Sequence, residues 1–344
     1  MKKQLLRILE IQSESYNSKK MSDYIIGRLN SEGIKVEKDV AGNIYATKGD
    51  ADVFPCLVSH IDTVHKIVPQ ENYKVVEADN KAFAINPVTM EFTGVGGDDK
   101  CGIYICIELL KKLDNVKAAF FVDEEVGCVG SSRADLSFFS NVGYLIQADR
   151  KGYIDVVSNV SGLQVASGDF MHLIKPVMDN YLKKECKNGG LTDIHELKRS
   201  GVDVCAINLS CGYYNPHRDN EYIDLSELDF TLQFVEDIIA VLGEVKYPQV
   251  AEDTMQYNKY GYGYGRYGNI YYDDFSFSKP KKSKKKKTPY ISQPVVAIDE
   301  EPTHCTTCGT DDVYIGSGYV YCKECKKTEY NYKSDDYATT KDNL

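Results

Sequence analysis

The sequence predicts an α/β fold in which a mostly parallel central sheet lies between two layers of helices. Short apolar segments with many β-branched or aromatic residues, which are typical of buried strands, recur at 54–59, 116–122, 142–148 and 202–209. Amphipathic helical patterns alternate with them, the last at 225–242. Strands that alternate with helices indicate a parallel sheet, because each parallel connection must cross back over the sheet.

The remaining elements follow from local signals. A first helix begins near the N-terminus, and Ser22 is a candidate N-cap for a second helix that ends near Gly33. A turn at Gly42–Asn43 precedes another strand. The glycine-rich segment 93–102 opens a long apolar helix.

Composition narrows the class of protein. The 344 residues allow one large domain and something smaller, and the charged share of 27% is ordinary. A net charge of -10 argues against a surface that binds nucleic acid throughout, and the apolar runs are too short for a membrane span. Eleven cysteines, an odd number, and an N-terminus without a secretory pattern predict a cytoplasmic protein.

Acids and histidines follow the ends of several predicted strands. They are His60 and Asp62 after the first strand, Glu124 and Glu125 after the second, Asp149 after the third, His217 in the loop after the fourth, and Asp98 in the glycine-rich segment. Singly, these residues have ordinary interpretations as a solvated turn, a helix cap or a hydrogen-bonded histidine. Because parallel strands end at one edge of a sheet, the set together predicts a site for zinc or a similar divalent ion.

The same residues carry a family resemblance. HIDTV at 60–64, GGDDK at 96–100, DEEVG at 123–127, then Asp149 and His217, occur in this order. This resembles the co-catalytic zinc metallopeptidases, which include peptidase T, carboxypeptidase G and the acetylornithine deacetylases. The resemblance covers about the first 245 residues and implies a three-layer α/β/α zinc-exopeptidase core.

The resemblance also implies roles for these residues. Two ions, either Zn²⁺ or Mn²⁺ or Co²⁺, would be held by Asp98 as the bridge, by His60 and Asp149 on one ion, and by Glu125 and His217 on the other. Glu124 would be the general base, and Asp62 would orient the ring of His60. The peptide bond between Asp98 and Asp99 would be cis.

Substrate contacts and a lid are less closely defined. Thr192, Asp193 and Asn215 are candidate substrate-binding residues, and Arg150 would hold either a substrate carboxylate or a structural ion-pair partner. Many members of the family insert a lid domain between the aspartate that corresponds to Asp149 and a stretch that resembles GGLTD at 189–193. Only 42 residues separate Asp149 from Thr192, and they have the pattern of core strand and helix, so we expect no lid.

Four cysteines predict a separate C-terminal module. Cys305, Cys308, Cys322 and Cys325 form two CxxC pairs, and the stretch between the pairs has the pattern of a β-hairpin. Four thiolates at this spacing indicate one structural Zn²⁺, as in a zinc ribbon at 303–327. A tyrosine–glycine- and lysine-rich linker, 246–302, precedes it, and a polar tail, 328–344, follows. The lysine-rich stretch 279–287 within this linker either contacts nucleic acid or acts as a solubilising tether. The ribbon itself is a candidate for contact with protein or nucleic acid.

Taken together, these features predict that residues 1–245 form a di-zinc exopeptidase without a lid. We expect it to hydrolyse peptide or amide bonds in small peptides, as aminopeptidases and tripeptidases do. One alternative is a deacylase of N-acyl amino acids. Another is a non-catalytic scaffold that binds a partner or nucleic acid through its ribbon.

Overall fold

A computed structural model describes residues 2–249 and, as strand segments, residues 252–253, 313–316, 319–322 and 328–330. The helices are α1 Lys2–Leu9, α2 Lys19–Ser31, α3 Gly97–Lys112, α4 Gly168–Asn180, α5 Asp193–Arg199 and α6 Leu225–Leu242. The strands up to the ninth are β1 Lys35–Lys38, β2 Ile44–Lys48, β3 Phe54–His60, β4 Lys74–Ala78, β5 Lys81–Ile85, β6 Val116–Phe121, β7 Val142–Arg150, β8 Asp155–Val157 and β9 Asn159–Val160. The remaining strands are β10 Leu163–Gln164, β11 Lys184–Cys186, β12 Ala206–Ser210, β13 Tyr213–Tyr214, β14 Tyr222–Asp224, β15 Glu252–Asp253, β16 Val313–Gly316, β17 Tyr319–Cys322 and β18 Thr328–Tyr330.

An eight-stranded sheet, in the order β1-β2-β6-β3-β7-β12-β8-β11, forms the centre of the fold. Its four middle strands, β6, β3, β7 and β12, run parallel to one another. Their carboxyl ends therefore lie along one edge, and the segments that follow them meet there.

Both faces of this sheet are covered, as the sequence predicts. Every residue of β3 and of β6 is buried, which fits strands that pack against helices on both sides. One face packs against a cluster that includes Ile25, Ile103 and Phe234, from α2, α3 and α6. The other packs against Ile194 and Leu197 of α5. The three-layer α/β/α architecture is thereby confirmed.

The segment between Asp149 and Thr192 belongs to the core. It contributes β8 and β11 to the main sheet, and α4 packs against α6. All of its residues are described, and they form no inserted domain.

A smaller antiparallel sheet, in the order β13-β14-β5-β4, joins two loops beside the carboxyl edge. Residues 64–95 contain β4 and β5, and residues 211–222 contain β13 and begin β14. The pairing of Tyr222 with Phe83 fixes these loops against each other.

The second helix starts earlier than the sequence indicated. α2 begins at Lys19 after Ser18, and Ser22 lies inside it as a buried residue, so the prediction of Ser22 as the N-cap is wrong. Lysine is a good helix former, and Met21 is fully buried in the core. Extending the helix toward its N-terminus therefore adds a core contact.

The C-terminal strands β16, β17 and β18 form an antiparallel sheet. The pairing of β16 with β17 confirms the predicted hairpin between the cysteine pairs. Cys305, Cys308 and Cys325 lie outside the described residues, as do most of the linker and the tail, and only the backbone of Cys322 is described. Among the described helices, none combines the length and apolar character that crossing a membrane requires.

Candidate metal centre

The first part of the site lies at the ends of β3 and β7. His60 is the last residue of β3, and its Nε2 atom lies 3.2 Å from Asp98 Oδ1 and 3.6 Å from Asp149 Oδ1. These three side chains therefore share one small volume at the carboxyl edge of the sheet.

The second part of the site involves the other oxygen of Asp98. His217 Nε2 lies 3.3 Å from Asp98 Oδ2 and 3.0 Å from Glu125 Oε2. Asp98 thus presents one oxygen to each histidine. His60 thus contacts Asp98 and Asp149, and His217 contacts Asp98 and Glu125, while Glu125 also lies close enough to His60 and Asp98 to share an ion with them.

Backbone conformation brings these side chains to the edge. Asp123, just before the two glutamates, and His217 itself both have left-handed φ angles, 57° and 63°. A Cβ added at Gly97, beside Asp98, would lie 2.8 Å from Tyr213 Cβ, so the backbone approaches β13 where only glycine fits. The Asp98–Asp99 peptide bond is cis, as the resemblance implied.

Asp62 connects the ends of β3 and β6. Its carboxylate accepts hydrogen bonds from the backbone N–H groups of Glu124, at 2.9 Å, and Glu125, at 3.3 Å. His60 Nδ1 lies 2.9 Å from the backbone carbonyl oxygen of Asp62 but 3.6 Å from its carboxylate. The main chain of Asp62 therefore holds the ring, and its side chain holds the two glutamates.

This contact also sets the tautomer of His60. A carbonyl oxygen can only accept, so Nδ1 carries the proton and Nε2 faces the carboxylates. A neutral ring in this orientation directs a lone pair at anionic oxygens, which is unfavourable unless a proton or a metal ion lies between them.

The carboxylates of the cluster repel one another. Burial raises the pKa of Glu124 well above its usual range, and burial together with the charge of Asp98 raises that of Asp149 to about 7. Burial alone would lower the pKa of His60, but the surrounding carboxylates, led by Asp149, raise it well above its ordinary value. Glu125 Oε1 is buried and has no hydrogen-bond partner. A buried excess of negative charge with a free oxygen fits divalent cations, whose charge would offset the repulsion.

Glu124 lies beside the five candidate ligands. Its Oε2 is 3.9 Å from His60 Nε2, and its Oε1 is 3.5 Å from the thiol of Cys128. A carboxylate at this position is close to the candidate metal ligands.

Asp99 also approaches the cluster, since one of its oxygens, with His60 and Asp149, forms a group compact enough to hold an ion. Its carboxylate, however, accepts from the Ser59 hydroxyl at 2.6 Å and from the backbone N–H of Gly102 at 3.0 Å. Both carboxylate oxygens of Asp99, inside the first turn of α3, are therefore engaged, and Asp98 remains the residue whose two oxygens face the two histidines.

The four candidate substrate residues differ in burial and in their contacts. Thr192 is buried and donates to Asp149 Oδ2 at 2.8 Å, and Asp193 is fully buried beside it. Arg150 Nε donates to Asp155 at 2.8 Å, which is the structural ion pair that the sequence left open. Asn215 is exposed, and its amide donates to the carbonyl of Asn220.

The sequence did not indicate that Gln147 contacts Asp149. The Gln147 side-chain amide lies 3.3 Å from carboxylate oxygens of both Asp149 and Asp193. Its position two residues before Asp149, on the same face of β7, was the available signal.

No protein-family model matches this chain, and no curated protein matches it in sequence. Solved structures match its fold. The aminopeptidase PepT from Bacillus cereus aligns with a TM-score of 0.58 and 17% identity, over 69% of this chain and 96% of that one. A tripeptidase from Staphylococcus aureus aligns with a TM-score of 0.55 and 15% identity, also over 69% and 96%. The TET1 peptidase from Pyrococcus horikoshii aligns with a TM-score of 0.53 and 14% identity, over 67% and 96%.

The part of the chain up to about residue 249 therefore has the α/β fold of these peptidases. The resemblance inferred from the sequence is confirmed at the level of the fold.

Proposed function

We propose that this protein is a metal-dependent exopeptidase that hydrolyses peptide bonds in small peptides. The observation that carries this proposal is the pair of histidine–carboxylate groups that share Asp98. The likeness in fold to structures named aminopeptidase and tripeptidase supports it.

The metal ligands in this proposal are the five residues of the cluster. His60 and Asp149 would hold one ion, Glu125 and His217 would hold the other, and Asp98 would contact both. Zinc suits this mixture of imidazole and carboxylate, with manganese or cobalt as substitutes. When bound, the ions would supply Lewis acidity to the scissile carbonyl and to the attacking water.

Glu124 is the general base in this proposal. It takes a proton from the attacking water at a carboxylate oxygen and passes it to the leaving amine nitrogen. Its own contacts support the role, because the backbone N–H of Glu124 donates to Asp62 and its side chain reaches toward His60.

The open side of the cluster lets a peptide reach it from solvent. The side chain of His217 is 53% exposed, and the segment 150–191 packs into the core without covering it. The deacylase alternative is less well supported, since Arg150, the candidate for binding the carboxylate of an N-acyl amino acid, is paired with Asp155.

The compartment and the C-terminal module complete the proposal. The seven cysteines within residues 2–249 are free thiols, which fits a reducing cytoplasm. The structural zinc of the ribbon, and its contact with protein or nucleic acid, remain predictions from the sequence.

A substrate panel tests the proposed activity. Purified full-length protein, supplied with zinc, manganese or cobalt, should hydrolyse amino-acid amides or tripeptides faster than N-acetyl amino acids. Glu124→Gln should lower kcat by about 10²- to 10⁴-fold while the metals stay bound. Glu108→Gln is the matched control. Glu108 is on α3, ten residues after Asp98, and pairs with Lys111 rather than with any residue of the cluster. A Glu124→Gln variant with wild-type turnover would remove the proposed base.

A further inference from the structure

A second buried carboxylate, outside the metal cluster, touches the loop that carries Asp98. The side chain of Glu221 is 0% exposed. Its Oε2 accepts from the backbone N–H of Gly96 at 2.7 Å, and its Oε1 accepts from the backbone N–H of Asp98 at 3.1 Å. One side chain therefore fixes the main chain on both sides of Gly97.

His65 completes this contact. Its Nε2 atom lies 2.8 Å from Glu221 Oε2. His65 is five residues after His60, and Glu221 is four residues after His217. Three chain segments, each with one metal ligand, thus meet at a single carboxylate.

Glycines allow the segments to approach this closely. A Cβ added at Gly94 would lie 2.2 Å from the His65 ring, and Gly94 donates its N–H to the Asp219 carbonyl at 2.7 Å. The loop between Gly94 and Asp98 is therefore enclosed by His65 on one side and by the segment of Glu221 on the other.

Both carboxylate oxygens of Glu221 have hydrogen-bond partners. Burying a carboxylate without such partners is strongly unfavourable. Lys100, which is buried at the same loop, donates to the carbonyl oxygens of Leu9 and Val95, and His65 contacts the carboxylate directly. Both oxygens of Glu221 are engaged, so this residue is not itself a candidate metal ligand.

We propose that Glu221, together with His65, is a positioning residue for the bridging aspartate. By holding the N–H of Asp98, Glu221 orients that residue so that its carboxylate presents one oxygen toward His60 and the other toward His217. This inference rests on the proposed metal site. It adds a residue that acts on the site through the backbone, without touching metal or substrate.

Metal affinity of the full-length apoprotein provides the test. Cobalt(II) is the probe, because a site of oxygen and nitrogen ligands lacks the thiolate charge-transfer absorption of a four-cysteine site, so the two can be titrated separately. We expect Glu221→Gln to weaken cobalt binding at the oxygen–nitrogen site by about 10- to 100-fold. The glutamine side chain can accept from one of the two backbone N–H groups, of Gly96 and Asp98, but its own amide N–H faces the other one. Glu221→Ala should weaken it further, and Glu108→Gln should bind as the wild type does.

His65 variants supply a second arm in case the Glu221 variants do not fold. His65→Gln keeps a side-chain N–H donor and should retain most of the affinity, whereas His65→Ala should lose about 10-fold. In turnover assays, kcat should fall while KM changes little. Wild-type cobalt affinity in Glu221→Gln or in His65→Ala would overturn the proposal.

Hydrogen exchange separates this proposal from the proposed function. The amides of Gly96 and Asp98 should exchange faster in apo Glu221→Ala than in the apo wild type, whether or not the protein hydrolyses any peptide. Unchanged exchange at both amides would contradict the positioning role. If these amides exchange faster in the variant but the wild type hydrolyses no peptide, the positioning role is supported and only the enzyme assignment is rejected.

Discussion

The backbone N–H of Glu124 donates to the side-chain carboxylate of Asp62 at 2.9 Å. This hydrogen bond connects the end of β3, which carries a candidate metal ligand, to the turn after β6, which carries the candidate base. Asp62 is fully buried, and its carboxylate also accepts from the Ser15 hydroxyl at 2.7 Å. The position of Glu124 is thus set by a side chain from the segment that follows β3.

Asp62→Asn should lower kcat by about 10- to 100-fold with little change in KM. The amide group of asparagine has only one acceptor atom, so it cannot accept from both glutamate N–H groups and from Ser15. Steady-state kinetics on the best substrate of the panel measures this. Ser15→Ala, which removes a donor but leaves the carboxylate, is the control and should stay within a few-fold of wild type. Equal losses in both variants would contradict the assigned role of Asp62.

Asp98→Ala should remove both ions from the oxygen–nitrogen site, whereas His217→Ala should remove one. The reason is that Asp98 faces both histidines, while His217 faces only Asp98 and Glu125. Metal content per chain, measured by elemental mass spectrometry after dialysis, distinguishes the two. Metal predicted to bind the cysteines should be unaffected. Equal metal content in the two variants would mean that Asp98 does not bridge.

Arg150→Gln should leave KM unchanged for every active substrate. Arg150 pairs with Asp155, and both side chains are partly exposed, so the ion pair contributes about 1 kcal/mol or less to stability. Thermal unfolding and substrate titration together check this expectation. A KM raised tenfold or more would restore Arg150 as a substrate contact.

Because of Lys183, the free energy of unfolding should increase as pH rises above 7. Burial lowers its pKa to about 7, and the side chain donates to the carbonyl oxygens of Tyr153 and Ser210. In the unfolded chain lysine titrates near 10.4. Between these values the unfolded state binds more protons than the folded state. Stability therefore increases with pH, by at most about 1.4 kcal/mol per unit from this group.

Lys183→Met isolates that contribution. Urea unfolding of both proteins between pH 7 and 9 should give a difference in stability that widens as pH rises, because only the wild type has the lysine. Arg199→Met, at an exposed position on α5, is the control. Parallel stability profiles for the wild type and Lys183→Met would contradict the lowered pKa.

The grouping of the candidate ligands could be predicted because these residues follow strand ends. His60 ends β3 and Asp149 lies near the end of β7, and parallel pairing alone brings those positions together. The spacing of apolar residues likewise predicted α6 with its observed limits.

Other features depend on contacts that no local pattern encodes. The contacts of Glu221 with His65 and with the backbone of Asp98 form only when three distant segments meet, so no local pattern indicates them. Thr192 is buried and donates to Asp149, and Asp193 is fully buried, so their role as substrate contacts stays a prediction. Sequence spacing cannot tell which side of a carboxylate is open to solvent.

Anomalous scattering at the zinc absorption edge, from crystals of the full-length protein, tests the central claim most directly. We predict two peaks about 3.5–4 Å apart, one beside His60 and Asp149, the other beside Glu125 and His217, with Asp98 in contact with both. Crystals that contain zinc elsewhere, but have no peak among these five residues, would contradict the account.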